Sequence, residues 1–236
     1  MRILVTNDDG IEAPSLWALA SWAKRLGEVT VSAPRYEQSA KSHGIELHQE
    51  IEILRADREG IEAYAVGSTP ADCVRFGSFG IEKRYDLVLS GINNGYNLGN
   101  DIVYSGTVGA VMEACNLGMQ GIAFSSDRGG FEAVLDRLDQ VWDYFEAQKL
   151  LEQGRVYNVN IPPVSQEIRL TVQGELFYHD RFEPVGENRY RQRGEPIAQT
   201  KLDPATDVGA VKSGMISVTP LTLQMTDFAA WERLKK

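Results

Sequence analysis

Asn7-Asp8-Asp9-Gly10 puts two adjacent carboxylates directly after a short apolar run, Ile3 to Thr6. At the carboxyl end of a buried strand such a pair repels itself unless a cation sits between or beside it. Oxygen ligands of this kind suit a hard divalent ion, Mg²⁺ or Mn²⁺. The same residue types also build ordinary solvated turns, so the segment alone leaves both readings open.

Four further segments carry polar chemistry after apolar runs. Ser90-Gly91-Ile92-Asn93-Asn94-Gly95-Tyr96-Asn97-Leu98-Gly99-Asn100-Asp101 offers amide oxygens and a backbone that a ligand can approach closely. Tyr104-Ser105-Gly106-Thr107 opens a helical pattern, and free N–H groups at a helix start, with hydroxyls beside them, suit a phosphate. Simple capping by Ser105 or Thr107 is the plainer reading of that turn. Pro34-Arg35-Tyr36-Glu37-Gln38-Ser39-Ala40-Lys41-Ser42-His43 offers a hydroxyl at Ser39, a charge at Lys41 and a possible acid or ligand at His43. Gly67-Ser68-Thr69-Pro70-Ala71-Asp72-Cys73 is most simply a helix cap, and His48 and His179 read as structural or surface residues.

Several familiar chemistries fail on spacing. The chain has no Gly-x-Gly-x-x-Gly after the first strand, no Gly-x-x-x-x-Gly-Lys-Ser/Thr loop and no Gly-x-Ser-x-Gly elbow. A haloacid-dehalogenase-type phosphatase needs Asp where Asn7 stands. A phosphorelay receiver needs an acceptor Asp where the strand ending at Leu89 offers Ser90.

The elements that must position these groups alternate. Ile3–Thr6, Val29–Ala33, Ala63–Val66, Leu87–Leu89 and Ile122–Phe124 read as buried parallel strands. Ala13–Leu26, Pro70–Phe79, Val108–Leu117 and Phe131–Lys149 read as helices between them, and Ile45–Leu54 as a half-exposed strand or hairpin. Later come short strands at Val156–Ile161, Ile168–Val172 and Met215–Val218, a polar hairpin arm from Tyr178 to Pro196, and a terminal helix from Asp227 to Lys235. The expectation is an α/β fold: a Rossmann-like three-layer parallel sheet, with a β-rich C-terminal part and an extended hairpin arm. Residues 1–150 form the metal- and phosphate-binding part and 151–236 the β-rich part with its arm, the two making one structural unit.

Composition bounds the rest. With 236 residues, 33 acidic against 24 basic side chains and a net charge of −9, the chain is no general nucleic-acid binder. An anionic substrate must then be met locally, by a metal or a helix N-terminus. Cys73 and Cys115 read as buried thiols in a reducing compartment. The first apolar run is too short for a signal peptide and no segment approaches a membrane span, so a cytoplasmic protein without a membrane partner is expected.

Taken together, Met1-Arg2-Ile3-Leu4-Val5-Thr6-Asn7-Asp8-Asp9-Gly10-Ile11, Ser39, Gly67-Ser68-Thr69-Pro70-Ala71-Asp72-Cys73-Val74, Ser90-Gly91-Ile92-Asn93 and Ser105-Gly106-Thr107 closely resemble the SurE family over the whole chain. The family consists of stationary-phase survival proteins acting as metal-dependent nucleoside-monophosphate phosphatases. The resemblance implies one divalent metal ion per subunit, Mg²⁺ or Mn²⁺, held by Asp8, Asp9, Ser39 and Asn93, with Asp8 or Asp9 also acting on the attacking water. It implies phosphate contacts from Asn97, Ser105, Gly106 and Thr107, nucleoside monophosphates as substrates, and a homodimer or homotetramer. His43 is the candidate acid. Two positions depart from the pattern: Tyr96 replaces the usual Pro of the Asn-x-Gly-Pro-Asn loop, and Gln38 the usual Arg before the metal-binding Ser. A non-catalytic nucleotide or phosphate sensor is the alternative to the phosphatase. The arm and the terminal helix resemble segments that the family uses in subunit exchange.

Overall fold

Burial on both faces explains the unbroken apolar runs. Strands β1 (Arg2–Thr6), β2 (Glu28–Pro34), β3 (Ile53–Arg55), β4 (Glu62–Val66), β5 (Leu87–Asn94), β6 (Gln120–Ser126), β7 (Val156–Ile161), β8 (Ile168–Leu170) and β11 (Ile216–Leu221) form one nine-stranded sheet. Its order is β3-β4-β2-β1-β5-β6-β7-β11-β8. β4, β2, β1, β5, β6 and β7 run parallel, while β3 and β11 are antiparallel to β4 and β7. The structure, a computed structural model, describes residues 1–164, 167–175, 178–197 and 202–235.

The side-chain alternation of each strand divides the core between two helical layers. Ile3, Val5, Leu87, Leu89, Ile122 and Phe124 face α1 (Pro14–Ala23) and α4 (Phe131–Ala147), where Leu16, Leu19, Leu138 and Phe145 are buried. Leu4 and Val88 face the other way, onto Val74 of α2 (Pro70–Arg75) and onto Ala110 and Ala114 of α3 (Gly106–Asn116). The α/β parallel-sheet class expected from the sequence is therefore the one observed. A short α5 (Leu150–Gln153) follows α4 and leads into β7.

Most elements lie where the apolar spacing puts them, and the exceptions have local causes. Of the strand or hairpin expected over 45–54 only Ile53 and Leu54 join the sheet, in β3 with Arg55. Earlier in that segment the Glu46 carboxylate accepts the N–H groups of His48 and Gln49 at 2.7 and 3.2 Å, so a side chain takes donors that a ladder would need. Thr69 caps α2 as its type predicts, accepting the Asp72 N–H, but the helix passes into a wide π-type turn at Phe76–Gly80. β5 does not stop at Ser90; it continues through Gly91 to Asn94 and pairs Asn93 with Ser125 and Asn94 with Ser126. The polar arm forms β9 (Tyr178–Gly186) paired antiparallel with β10 (Arg189–Pro196), outside the main sheet. The terminal helix is α7 (Phe228–Leu234), capped by Asp227. No described helix is long and apolar enough to cross a membrane.

The helix α6 (Asp207–Lys212) has no apolar repeat to announce it; six residues are too few. Its first residue nonetheless anchors the loop before α3. The Asp207 carboxylate is fully buried and accepts the N–H of Gly99 at 2.9 Å, of Gly174 at 2.8 Å and of Val208 at 2.7 Å. Burial pushes its carboxyl upward, against these bonds. Asp207→Ala leaves three donors without their acceptor and is expected to destabilise the fold by about 2–4 kcal/mol, read by urea denaturation. The loss should loosen the loop holding Asn97 before it melts the sheet.

Candidate active site

The chain order around β1 creates the site. After β1 the chain builds outward through β2 to β4, then returns to place β5 on the other side of β1. The connections from β1 and β5 therefore diverge to opposite faces of the sheet and leave a crevice beyond their carboxyl ends, where ligands bind in open α/β sheets. A cavity of about 510 Å³ lies there. Its walls include Asp8 and Asp9 after β1, Glu37 and Ser39 after β2, Asn93 and Asn94 at the end of β5, and Asn97 and Ser105 on the way to α3.

The loop after β1 is held by its own residues. Asn7 donates from its amide to the Gly10 carbonyl at 3.0 Å, and its oxygen accepts the Gly10 N–H at 3.2 Å. Gly10 sits at φ +101, where a side chain would be strained. Asn7 is thus the scaffold of the turn, and Asp8 and Asp9 are its payload. The Asp8 carbonyl accepts the Gln38 N–H at 2.7 Å, which ties this loop to the one that carries Ser39.

Asp8 is 5% exposed and rests on the start of α3. Thr107 donates its hydroxyl to Asp8 Oδ1 at 2.5 Å and its N–H to Oδ2 at 3.2 Å. Ser105 Oγ accepts the Val108 N–H at 3.1 Å, the capping expected from its type. Gly106 lies so close that an added Cβ would come within 2.9 Å of the Asp8 Cβ. The Ser105-Gly106-Thr107 turn therefore presses the positive end of α3 against a carboxylate. Thr107 is fully buried, with both donors committed to Asp8.

Electrostatics make the pair costly without a counter-charge. Burial pushes the Asp8 carboxyl up, opposed by the two bonds from Thr107. Burial first, and then the charge of Asp8, push Asp9 up to about 6, while the Asn94 N–H at 3.3 Å pulls the other way. Glu37 adds to the repulsion on both. Asn93 spends its amide nitrogen on the Gly95 carbonyl at 2.8 Å, which leaves its oxygen for the cavity. Ser39 donates to Glu37 Oε1 at 2.6 Å. Two carboxylates, an amide oxygen and a hydroxyl, with a third carboxylate beside them, form an all-oxygen set, and the residues fit a hard divalent ion. Among the described residues no cluster of three His, Cys, Asp or Glu makes a cage on its own, and the neutral oxygens that line the cavity beside the carboxylates include those of Asn93 and Ser39.

Asn97 is fixed from several sides. Its N–H donates to Asn160 Oδ1 at 2.9 Å, and its carbonyl accepts from Asn158 and Asn160 at 2.8 and 2.9 Å. Its side-chain amide donates to Ser125 Oγ at 2.9 Å. Spacing could not have found Asn158 and Asn160, since they act only because β7 lies beside β6.

Asp8, Asp9, Ser39, Asn93, Asn97 and Ser105 thus meet at one cavity, with Gly106 and Thr107 packed beneath Asp8. His43 lines a separate cavity of about 490 Å³. Its Nε2 lies 2.7 Å from Glu113 Oε2. Cavity residues without an assigned role in the sequence include Glu37, Asn94, Asp101, Tyr104 and Arg128. Glu37 was visible as an acid between Pro34 and Ser39; Arg128 carried no motif. The Arg128 loop is pinned by the Gly129 N–H, which donates to Asn94 Oδ1 at 2.7 Å.

A carboxylate- and amide-lined cavity at the switch point of a doubly wound sheet defines an α/β protein that binds its ligand beyond the carboxyl ends of the strands. Comparison with known proteins narrows the class. The family model described as "Survival protein SurE" matches residues 3–180. The chain is 41% identical to the 5'-nucleotidase SurE of Syntrophotalea carbinolica over 100% of its own length and 97% of that protein. It is 37% identical to the 5'-nucleotidase SurE of Caldanaerobacter subterraneus subsp. tengcongensis over 98% of its length and 95% of that protein. The crystal structure of SurE from Aquifex aeolicus superposes with a TM-score of 0.81 at 35% identity, covering 100% of this chain and 98% of that one. The chain belongs to the SurE family.

Asp9 titrates higher in the fold, at about 6, than in the unfolded chain. The stability it contributes is complete below about pH 4 and is lost as pH rises through the folded value. Asp9→Asn should raise the melting temperature of the metal-free protein by a few degrees near neutral pH and leave it unchanged in acid. Added Mg²⁺ or Mn²⁺ should stabilise the wild type more than the variant, read by thermal scans at both pH values.

Proposed function

We propose that this protein is a metal-dependent 5'-nucleotidase, a phosphomonoesterase that hydrolyses nucleoside monophosphates to nucleoside and phosphate. The observation that carries the reading is the Asp8–Asp9 pair, packed by burial at the start of α3 and joined at one cavity by Ser39, Asn93 and Asn97. It agrees with the full-length likeness to 5'-nucleotidase SurE proteins.

In this reading Asp8, Asp9, Ser39 and Asn93 hold one Mg²⁺ or Mn²⁺ per subunit. The ion supplies charge neutralisation at the phosphoryl oxygens when bound. Asn97, the Ser105 hydroxyl and the Gly106 end of α3 receive the phosphate, whose charge the helix dipole favours. Thr107 seats Asp8 and so acts on the phosphate through it. In this reading Asp9, the more exposed of the two carboxylates, orients the attacking water and takes its proton. Arg128 is the cation available to an anionic substrate at the rim of this acidic cavity.

The polar arm and the terminal helix support a homodimer or homotetramer. β9 and β10 pair only with each other among the described strands and expose Phe182, Val185 and Tyr190. Helix α7 buries no residue and exposes Phe228, Trp231 and Leu234. Apolar surface of this kind is covered in a stable assembly.

Phosphate release from a panel of nucleoside monophosphates, first with chelator and then with Mn²⁺ or Mg²⁺, tests the reading. Release restored by metal is expected. Asp8→Asn should lower it by more than about a hundredfold while the circular dichroism spectrum stays that of the wild type. Tight nucleotide binding with no release under any metal would instead mark a sensor.

A further inference from the structure

The segment between Ser39 and Gly44 is a strap. Its first residue faces the acidic cavity, and its fifth, His43, faces the neighbouring apolar one. Two of its non-glycine residues are left-handed, Ala40 at φ 58 and Ser42 at φ 57. Such a backbone persists only where its surroundings hold it.

Apart from the Gln38 bond to Asp8 and the Ser39 bond to Glu37, the strap is held at its far end, from Ser42 onward. Ser42 donates its N–H to the Tyr104 carbonyl at 3.0 Å and its hydroxyl to the Val103 carbonyl at 2.6 Å. The Ser42 carbonyl sits over α3 at Gly109, where an added Cβ would stand 2.3 Å from that oxygen. His43 completes the clamp: its Nε2 meets Glu113 Oε2 at 2.7 Å, and Arg75 Nη1 donates to Glu113 Oε1 at 2.8 Å. The Glu113 side chain is 4% exposed, a buried carboxylate that His43, Arg75 and the Asn116 amide all approach. The imidazole is therefore engaged on the flank of α3, nearly two turns beyond the helix start that seats Asp8.

We infer that His43 is a positioning residue and not the proton donor: through Glu113 and Arg75 it locks the strap onto α3 and so fixes Ser39 in register with Asp8, Asp9 and Asn93. The inference rests on the metal-site reading given above. α3 then serves two ligands at once, seating Asp8 through Thr107 and Ser39 through the strap. Gly109 is required for the same reason, since any side chain there would lift Ser42 from the helix.

Metal titration without substrate tests this, by calorimetry on the purified full chain with Mn²⁺ and with Mg²⁺. His43→Ala and, independently, Gly109→Ala should weaken metal binding by about tenfold, the usual cost of losing support behind a ligand. His43→Gln, which keeps a donor toward Glu113, should recover most of that loss. With saturating metal, turnover of a nucleoside monophosphate by His43→Ala should fall by less than about tenfold, below the 10²–10⁴ that loss of a general acid costs. A larger fall in turnover, with metal affinity intact and His43→Gln as poor as His43→Ala, would overturn the inference and make His43 the acid. Unchanged metal affinity in both alanine variants would overturn it as well. If His43→Ala fails to fold, Ser42→Ala removes the bond to Val103 and carries the same expectation. A wild type that binds metal no better than Asp8→Asn would instead remove the metal site itself.

Discussion

Two carboxylates forced together at the end of a buried strand are the constraint around which this molecule is arranged. Desolvation raises both Asp8 and Asp9, the charge of Asp8 raises Asp9 further, and Glu37 adds to the repulsion on each. The fold tolerates this with fixed positive potential. The start of α3 lies against Asp8, Thr107 gives it two hydrogen bonds, and Gly106 is small enough to let the helix approach. What the protein does not neutralise is the remaining negative charge of the cavity. That surplus selects a cation, and a cation in turn is what an acidic protein needs in order to hold a phosphate ester.

The surrounding structure supplies rigidity to groups that are individually mobile. Asparagine and serine are weak metal and phosphate ligands unless their orientation is set in advance. Here Asn97 is tied by both backbone groups to Asn158 and Asn160, and its side chain to Ser125. Asn93 belongs to β5 itself and pairs with Ser125 across the sheet. Ser39 rides on a strap clamped to α3. The neighbouring loop at Gly99 hangs from the buried Asp207, on an element that starts more than a hundred residues later in the chain. Each polar group is placed by a different part of the fold, and β7, late in the chain, reaches the site directly through Asn158 and Asn160.

Much of this was legible in the chain. Apolar runs buried on both faces announced the parallel strands, because such strands have no polar side to show. Gly and Pro marked the ends of several helices, and Thr69, Ser105 and Asp227 cap where their types predict. The Asn-Gly loop stood out because it follows a strand and combines residue types that a simple surface loop does not need, whereas the acidic pair and the Ser-Gly-Thr turn, each also readable as an ordinary turn or cap, gained meaning only in combination with it. The short α6 escaped because one and a half turns carry no period. The 45–54 segment misled because Glu46 diverts backbone donors that its alternating pattern promised to a partner strand.

The sequence by itself determined the chemistry on offer: adjacent carboxylates, amide and hydroxyl oxygens, a helix start suited to an anion, and strands able to carry them. Local residue types and spacing suffice for that, since caps, turns and periodicity are decided within a few residues. Only the tertiary structure decided the partners. Thr107 belongs to Asp8, His43 to Glu113, Asn97 to Asn160 and Gly99 to Asp207. Each of these pairs joins residues far apart in the chain. Their meeting depends on strand order and on how closely α3 can approach, which are properties of the packed sheet and its layers and of no single segment.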